Sequence, residues 1–297
     1  MDRPRPRRDY PAGNGRAAAL GYEDSMQTIS TPAVGDLLRE WRQRRRLSQL
    51  QLAGEAEIST RHLSFVETGR ASASREVLHR LAEELAMPLR TRNQLLIAAG
   101  FAPAFPERPL EAPELAAARR AVELVLAGHE PFPALAIDRH WHLVAANRAV
   151  APLLAGLDET LLAAPVNVLR LSLHPKGLAP RIDNLGEWRA HLLERLRRQI
   201  AESGDASLNA LYEELAAYPF RASERRRDAF SGVAVPLRLR LPGREAPLSF
   251  LSTTTVFGTP LDVTLSEIAL ECFFPADAAT RDFLEQAGKA IVPGVES

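Results

Sequence analysis

The sequence predicts a multidomain protein in which an all-α domain of five short helices precedes an α+β domain built on an antiparallel sheet. The first prediction rests on apolar residues that recur at helical spacing from residue 34 to 100, in segments only a few residues apart. The second rests on residues 114–288, where two strand-like runs, several helical segments and three more strand-like runs follow one another. Four of the 13 residues 101–113 are prolines, which predicts a linker between the domains.

Composition predicts a cytoplasmic protein without a disulfide framework. The chain has 297 residues, 46% of them hydrophobic, which is enough for a sizeable core. Cys272 is the only cysteine, so intramolecular disulfides and cysteine-based zinc clusters are excluded. No apolar run approaches the ~18 residues of a membrane span, and no apolar stretch follows the first residues as in a secretory signal.

Positive charge is concentrated at the start of the chain, although the 37 basic and 37 acidic residues balance overall. Residues 1–20 hold five arginines against two aspartates, with several prolines and glycines and few large apolar residues. Such a segment buries too little apolar surface to offset its ordering entropy. We therefore predict a flexible basic arm over residues 1–33, and a short tail over residues 289–297.

The helices of the first domain are predicted from apolar stripes and from serines that can cap them. The first stripe consists of Val34, Leu37, Leu38 and Trp41. Ser48, Ser59 and Ser74 are expected to cap the second, third and fourth helices, and Gln51 completes a capping box with Ser48. A fifth helix is predicted from Arg92 to Ala99.

The third of these helices presents an arginine and a phenylalanine away from the core. At 100° per residue, Leu63 and Val66 share the inward face, whereas Arg61 and Phe65 point outward. An arginine and a phenylalanine that both point outward from so short a helix need a binding partner. This pair therefore indicates a binding surface.

Three motifs follow one another in this domain: Leu47-Ser48-Gln49-x-x-Leu52-Ala53, Leu63-Ser64-x-Val66-Glu67-x-Gly69-Arg70 and Leu78-x-x-Leu81-Ala82-x-x-Leu85. In this order they resemble the repressor-type (XRE/Cro) helix-turn-helix DNA-binding domain over residues 34–100. The resemblance implies a third helix that reads base edges. It also implies a buried ion pair between Arg42 and Glu67.

Carried over position by position, the resemblance assigns DNA contacts to the second and third helices. Gln49 would hold a phosphate and lie against the recognition helix, whose first turn would lie nearest the bases. The predicted DNA-binding residues are Gln49, Ser59, Thr60, Arg61, His62, Ser64, Phe65 and Arg70. The alternative is that this unit binds another protein through the same surface.

In the second domain, hydrophobic periodicity predicts helices over Glu114–Ala127, Arg148–Leu154 with Asn147 as its cap, Glu187–Glu202, Ser207–Tyr218 and Asp277–Ala287. Strands are predicted over Pro133–Asp138, His142–Ala145, Val233–Leu241, Leu248–Phe257 and Val263–Phe273. This order predicts a sheet of about five strands with helices against one face.

Further motifs in this domain are Ala136-Ile-Asp138, Asn167-Val-Leu-Arg170, His174-Pro-x-Gly177-Leu-x-Pro-Arg181 and Gly258-Thr-Pro-Leu-Asp-Val-Thr264. Over residues 114–288 they resemble the MmyB-type regulator ligand-binding domain. The resemblance implies a PAS-like fold that senses a small molecule, such as a fatty acid or a similar small lipid.

A lipid site needs an apolar cavity and one cationic or hydrogen-bonding end. The segment from His174 to Arg181 supplies such an end within an otherwise apolar stretch. The predicted ligand-binding residues are Asn167, Arg170, His174, Arg181 and Trp188. Beyond such a bound lipid, no cofactor is expected.

The sequence offers no support for a metal site or for catalysis. His140 and His142 can share a strand face, but we find no cysteine and no convincing acidic residue to complete a metal site with them. A Gly-x-Ser-x-Gly motif and a phosphate-binding glycine loop are both absent from the sequence. We therefore expect that the protein is not an enzyme.

Together these features predict a one-component, bacterial-type transcription regulator. It would bind double-stranded operator DNA as a homodimer, with recognition helices ~34 Å apart, and respond to a small apolar effector. One alternative keeps DNA binding but makes the second domain a ligand-free dimerisation or partner-docking module. Another is an enzyme regulated through its DNA-binding domain.

Overall fold

The computed structural model describes residues 33–220, 234–258 and 260–291. Residues 1–32 of the predicted arm and residues 292–297 of the predicted tail therefore lie outside the described residues. Within residues 33–100, all of which are described, five helices form: α1 (Val34–Arg44), α2 (Gln49–Glu55), α3 (Thr60–Glu67), α4 (Arg75–Glu84) and α5 (Leu89–Ala98).

Serine caps set the starts of three of these helices, as the sequence predicts. The hydroxyl oxygens of Ser48, Ser59 and Ser74 accept hydrogen bonds from backbone N–H groups in the first turns of α2, α3 and α4. Helix α5 begins earlier than predicted, directly after Pro88, and it has no side-chain cap that the sequence could reveal.

A leucine-rich core holds the five helices together. Its fully buried members include Leu38, Leu52, Leu63, Leu78 and Leu81. The start of α1 lies directly against the end of α3, because a Cβ atom at Gly35 would come within 2.4 Å of the Glu67 carbonyl oxygen. The sequence therefore needs glycine at position 35 to let these two helices approach.

The remaining described residues form an α+β domain. Its helices are α6 (Ala116–Gly128), α7 (Ala151–Leu154), α8 (Glu159–Leu162), α9 (Val168–Leu173), α10 (Leu185–Ser203), α11 (Ala206–Ala217), α12 (Val263–Ser266) and α13 (Ala278–Ile291). Its strands are β1 (Ala134–Ile137), β2 (Leu143–Ala146), β3 (Leu237–Leu239), β4 (Leu248–Val256) and β5 (Ala269–Pro275). Single 3₁₀ turns lie at Pro113–Leu115 and Ala179–Arg181.

The described strands form one antiparallel sheet in the order β2-β1-β5-β4-β3, which confirms the predicted α+β architecture. Helices cover both faces of this sheet, so the expectation of helices on one face is wrong. Along β1, Ala134 and Ala136 face α6, whereas Leu135 and Ile137 face the core formed by α9, α10 and α11. The small alanine side chains give α6 room on the second face.

Two local predictions fail for physical reasons. The run Val263–Phe273 is not one strand, because Asp262 caps the short helix α12 by accepting a hydrogen bond from the Thr264 N–H group. Asn147 does not cap a helix. Its buried amide bridges the backbone of Ala134, Leu126 and Phe132. The helix predicted to begin at Arg148 is accordingly only the short α7.

Candidate nucleic-acid interface and ligand cavity

Helix α3 carries the exposed side chains that the sequence assigns to DNA. Arg61 is exposed, and its guanidinium carbon lies 5.3 Å from the centre of the half-buried Phe65 ring. Stacking on Phe65 holds the arginine against the helix surface without occupying its hydrogen-bond donors. No described acidic residue forms an ion pair with Arg61, which is therefore available to a partner.

The other predicted DNA-binding residues lie around the same helix. Ser59 uses its hydroxyl oxygen to accept the hydrogen bond from the His62 N–H group. Thr60, His62 and Ser64 are half-buried, and Arg70 is exposed just after Gly69, which has a left-handed backbone (φ +71°). Their contacts with DNA stay predictions.

A buried carboxylate fixes α3 to α1 and α2. Arg42 donates hydrogen bonds from Nε and Nη2 to the two carboxylate oxygens of Glu67, at 2.7 and 2.8 Å, which confirms the predicted ion pair. Gln49 donates to the same carboxylate at 2.9 Å. Gln49 thus lies against the recognition helix as expected, whereas its contact with a phosphate stays a prediction.

The charge of Glu67 is stabilised where it lies. Burial raises the pKa of Glu67, whereas hydrogen bonds from Arg42 and Gln49 and the nearby charge of Arg39 lower it. The lowering effects together are larger, so the pKa of Glu67 lies below its usual value. Glu67 is therefore ionised at neutral pH. Helix α3 is anchored at its last residue by a charged network.

The predicted ligand-binding residues near α9 already have protein partners. Arg170 donates two hydrogen bonds to the carboxylate of Glu214, at 2.8 and 2.7 Å. The His174 ring packs edge-on against Tyr218, with ring centres 5.0 Å apart. Burial and a hydrogen bond to Glu214 raise the pKa of Tyr218 to about 12.

The other three also make internal contacts. Asn167 caps α9 and donates to the His140 carbonyl oxygen at 2.9 Å. Arg181 donates to two loop carbonyl oxygens, and the Trp188 Nε1–H group donates to Ser172 at 2.9 Å. None of the five residues is among the described residues that line the two cavities below. Their role in ligand binding stays a prediction.

An apolar cavity of about 780 Å³ lies between α13 and the segments around Pro131 and α7. Its walls are mainly Pro131, Pro152, Leu153, Leu241, Phe283 and Leu284. Glu130 and Arg148 form an ion pair at 2.6 Å on its rim, whereas no described carboxylate pairs with the exposed Lys289 on the same rim. A volume of ~300–1,000 Å³ with apolar walls and few polar groups is typical of small-molecule sites.

A polar cleft of about 1110 Å³ lies where the five-helix domain meets the α+β domain. From α5, Arg90 donates two hydrogen bonds to the carboxylate of Glu267, at 2.7 and 2.9 Å, and pairs with Glu107 at 2.6 Å. Arg139 lies 3.6 Å from the same Glu267 carboxylate. These charges connect the last helix of the five-helix domain to the segment between α12 and β5 and to the β1–β2 turn of the second domain.

The sequence analysis finds no convincing acidic third ligand for the histidine pair, but the structure places one carboxylate beside it. Asp138, His140 and His142 each place one potential ligand atom within 4.8 Å of the others. The sequence analysis missed this carboxylate, although Asp138 lies only two residues before His140. It also missed Glu267 and the residues that line the apolar cavity. These residues come together only in the folded chain, so their spacing in the sequence does not reveal them.

Comparison with known families agrees with both halves of the structure. Residues 33–95 match the model of a helix-turn-helix domain, and residues 118–287 match that of the MmyB-like transcription regulator ligand-binding domain. The chain belongs to this MmyB-like regulator family. The regulator thus combines a DNA-binding domain with a ligand-binding domain, and the family is one of transcription regulators.

Among solved structures, the regulator is similar to ClgR, the clp gene regulator of Corynebacterium glutamicum, with 26% identity over 34% of this chain and 94% of that chain and a TM-score of 0.21. It is also similar to an RNA-binding light-oxygen-voltage receptor, with 14% identity over 87% of this chain and 63% of that chain and a TM-score of 0.22. At these TM-scores neither structure informs the fold. No curated protein matches the chain.

Among the described residues, no helix is long and apolar enough to cross a membrane.

Proposed function

We propose that this transcription regulator binds operator DNA through α3 and that a small apolar carboxylate, such as a fatty acid, in the cavity beneath α13 changes the operator affinity. The observation that carries the DNA half is Arg61, which is exposed and stacked on Phe65 on a helix anchored by Glu67. The observation that carries the ligand half is the apolar cavity with Lys289 on its rim.

The regulator would act as a symmetric homodimer. One recognition helix reads only a few base pairs, so two copies with helices ~34 Å apart would read two half-sites one turn apart. A partly palindromic operator is the expected consequence. A monomer bound to a single asymmetric site would contradict this part of the proposal.

The test of the DNA half is selection of bound sequences from a random duplex pool with the full chain. Arg61→Ala should relax the preference at one base pair, with a loss of ~1–3 kcal/mol for the preferred sequence. Gln49→Ala should weaken binding to all sequences alike. Arg197→Ala is the matched control, because Arg197 is 66% exposed on α10, outside the proposed DNA surface. An unchanged preference in Arg61→Ala would overturn the placement of the recognition helix.

The test of the ligand half compares a fatty acid with an alcohol of the same chain length. Four charged groups, Glu130, Arg148, Glu285 and Lys289, line the cavity; of the two basic ones, Arg148 pairs with Glu130, whereas Lys289 has no carboxylate partner among the described residues. Lys289→Gln should therefore weaken binding of the acid and leave binding of the alcohol unchanged. Equal losses for both ligands would contradict a carboxylate contact at Lys289.

A second variant tests the cavity itself. Ala149 lines the cavity, so Ala149→Phe should fill part of it and reduce binding of both the acid and the alcohol. Ala117→Phe is the matched control, because Ala117 is exposed on α6 and does not line the cavity. If the protein binds neither ligand, the alternative of a ligand-free docking or dimerisation module is favoured.

A further inference from the structure

The tip of the β1–β2 hairpin brings together three side chains that can bind metal ions. Asp138 follows the last residue of β1, and His142 precedes the first residue of β2. Together with His140, each offers one ligand atom, and these atoms lie within 4.8 Å of one another. All three residues are half-buried, so the cluster is sheltered yet reachable from solvent.

The turn itself holds both histidines on the side of the aspartate. The Asp138 Oδ1 atom accepts hydrogen bonds from the backbone N–H groups of His140 and His142, each at 2.8 Å. Between them, the buried Trp141 has a left-handed backbone (φ +66°), and its Nε1–H group donates to Gln199 at 2.7 Å. Asp138 Oδ2 lies 3.0 Å from His142 Nδ1.

A second carboxylate faces the cluster from another element. Asp205, at the start of α11, places its Oδ2 atom 3.1 Å from His140 Nε2. Two ligands that each lie ~2.0–2.1 Å from one tetrahedral metal ion are ~3.3 Å apart. The separation within each His–Asp pair is therefore close to that between two ligands of one ion, and the atoms that all lie within 4.8 Å of one another belong to Asp138, His140 and His142.

We propose that Asp138, His140 and His142 form a binding site for a divalent transition-metal ion, with Zn²⁺ as the best match and Asp205 beside the site as the partner of His140. Imidazole nitrogens with carboxylate oxygens are a donor set that Zn²⁺ accepts and that Mg²⁺ and Ca²⁺ do not prefer. The carboxylates of Asp138 and Asp205 balance the charge of a divalent ion. An imidazole that binds the ion through the nitrogen now facing a carboxylate carries its proton on the other ring nitrogen.

The site would be linked to the DNA-binding domain through Arg139. Arg139 Nη1 donates to the same Asp205 Oδ2 atom at 3.1 Å. A cation bound beside Asp205 weakens the pairing of Arg139 with this carboxylate, and the Glu267 carboxylate lies 3.6 Å from Arg139. Because Glu267 also binds Arg90 of α5, metal occupancy changes the charge balance at the contact between the two domains.

The test is a Zn²⁺ titration of the untagged, chelator-treated full chain in competition with a chromophoric chelator. The wild type should bind one equivalent of Zn²⁺, and a large excess of Mg²⁺ should not compete. His140→Asn and His142→Asn should each weaken binding at least ~10-fold. His79→Asn, a half-buried histidine on α4, is the matched control and should bind as the wild type does.

A measurement on the wild type alone covers the case in which a variant does not fold. The chain has 7 histidines, and one equivalent of Zn²⁺ should shift the imidazole NMR signals of two of them, His140 and His142. The proposal is overturned if Zn²⁺ does not bind stoichiometrically, if it shifts other histidines instead, or if folded His140→Asn and His142→Asn bind it unchanged.

Discussion

Replacing Glu67 by glutamine should loosen the three helices that carry the predicted DNA surface. The Glu67 side chain is 0% exposed, and it accepts hydrogen bonds from Arg42 and Gln49. Glutamine keeps the shape but removes the charge, and its single oxygen replaces the two that Arg42 now binds. Arg42, which is 12% exposed, then loses its charged partner while it stays largely buried.

The expected loss follows from the number of contacts removed. A hydrogen bond to a charged group contributes ~1.5–3 kcal/mol, so Glu67→Gln should lower the free energy of unfolding of the five-helix domain by about 2 kcal/mol. Glu67→Ala removes the whole partner and should cost ~3–5 kcal/mol. The double variant Arg42→Met/Glu67→Leu should recover most of this loss, because apolar replacement of both partners is close to neutral.

The pH dependence has a definite sign. Although burial raises the pKa of Glu67, the hydrogen bonds from Arg42 and Gln49 lower it more, and the folded-state pKa lies below the ordinary value. The ion pair therefore contributes its full stability above the ordinary glutamate pKa of ~4.3, and loses it as the pH falls through the lower folded-state pKa. The difference between wild type and Glu67→Gln should be constant near neutral pH and shrink in acid.

Amide hydrogen exchange of the peptides from α1 to α3 measures this loss directly, because it separates the five-helix domain from the sheet domain. The matched control is Glu40→Gln on α1. Glu40 is 55% exposed and pairs with Arg44, and such exposed helix pairs contribute ~0.3–0.5 kcal/mol. If Glu67→Gln changes the opening free energy of α1–α3 no more than Glu40→Gln does, the buried network does not hold the recognition helix.

Three further outcomes follow from the packing. Gly35→Ala should destabilise the five-helix domain by ~1–3 kcal/mol in urea unfolding, because the added Cβ atom would come within 2.4 Å of the Glu67 carbonyl oxygen. Unchanged stability would show that α1 can move away from α3 without loss of stability. Arg90→Gln removes the contacts with Glu267, so amide hydrogen exchange should increase in α5 while α2 keeps its protection. Equal exchange of α5 in the wild type and in Arg90→Gln would contradict a role for this pair in joining the domains. Cys272, whose pKa is raised by burial, should react with thiol reagents much more slowly in the native protein than in urea, and equal rates would show that its strand is open.

The five-helix domain was predictable in detail because its signals are local. Ser48, Ser59 and Ser74 cap helices within a few residues of themselves, and the leucines repeat at helical spacing. The Arg42–Glu67 pair was predictable only through the family resemblance, since 25 residues separate the partners. Helix α5 was placed too late because Pro88 starts it without a side-chain cap.

The second domain shows where sequence reasoning fails. The strand order depends on pairings between distant segments, and Val263 lies in a short helix although its neighbours have strand-like composition. Arg170 and Arg181 are predicted ligand contacts, and in the structure they also bind Glu214 and loop carbonyl oxygens. These partners lie far away in sequence, so no local pattern could predict them, and the role of both arginines in ligand binding stays a prediction.

The most direct test of ligand-controlled DNA binding is to measure both affinities on the same full-length protein. We would determine the operator dissociation constant with and without saturating fatty acid, and the fatty-acid dissociation constant with and without operator DNA. Coupling requires that both constants change by the same factor, because linkage is reciprocal; we expect about 5-fold or more, typical of allosteric coupling. A fatty acid that binds the cavity but leaves the operator affinity unchanged would contradict the proposal that this regulator senses it.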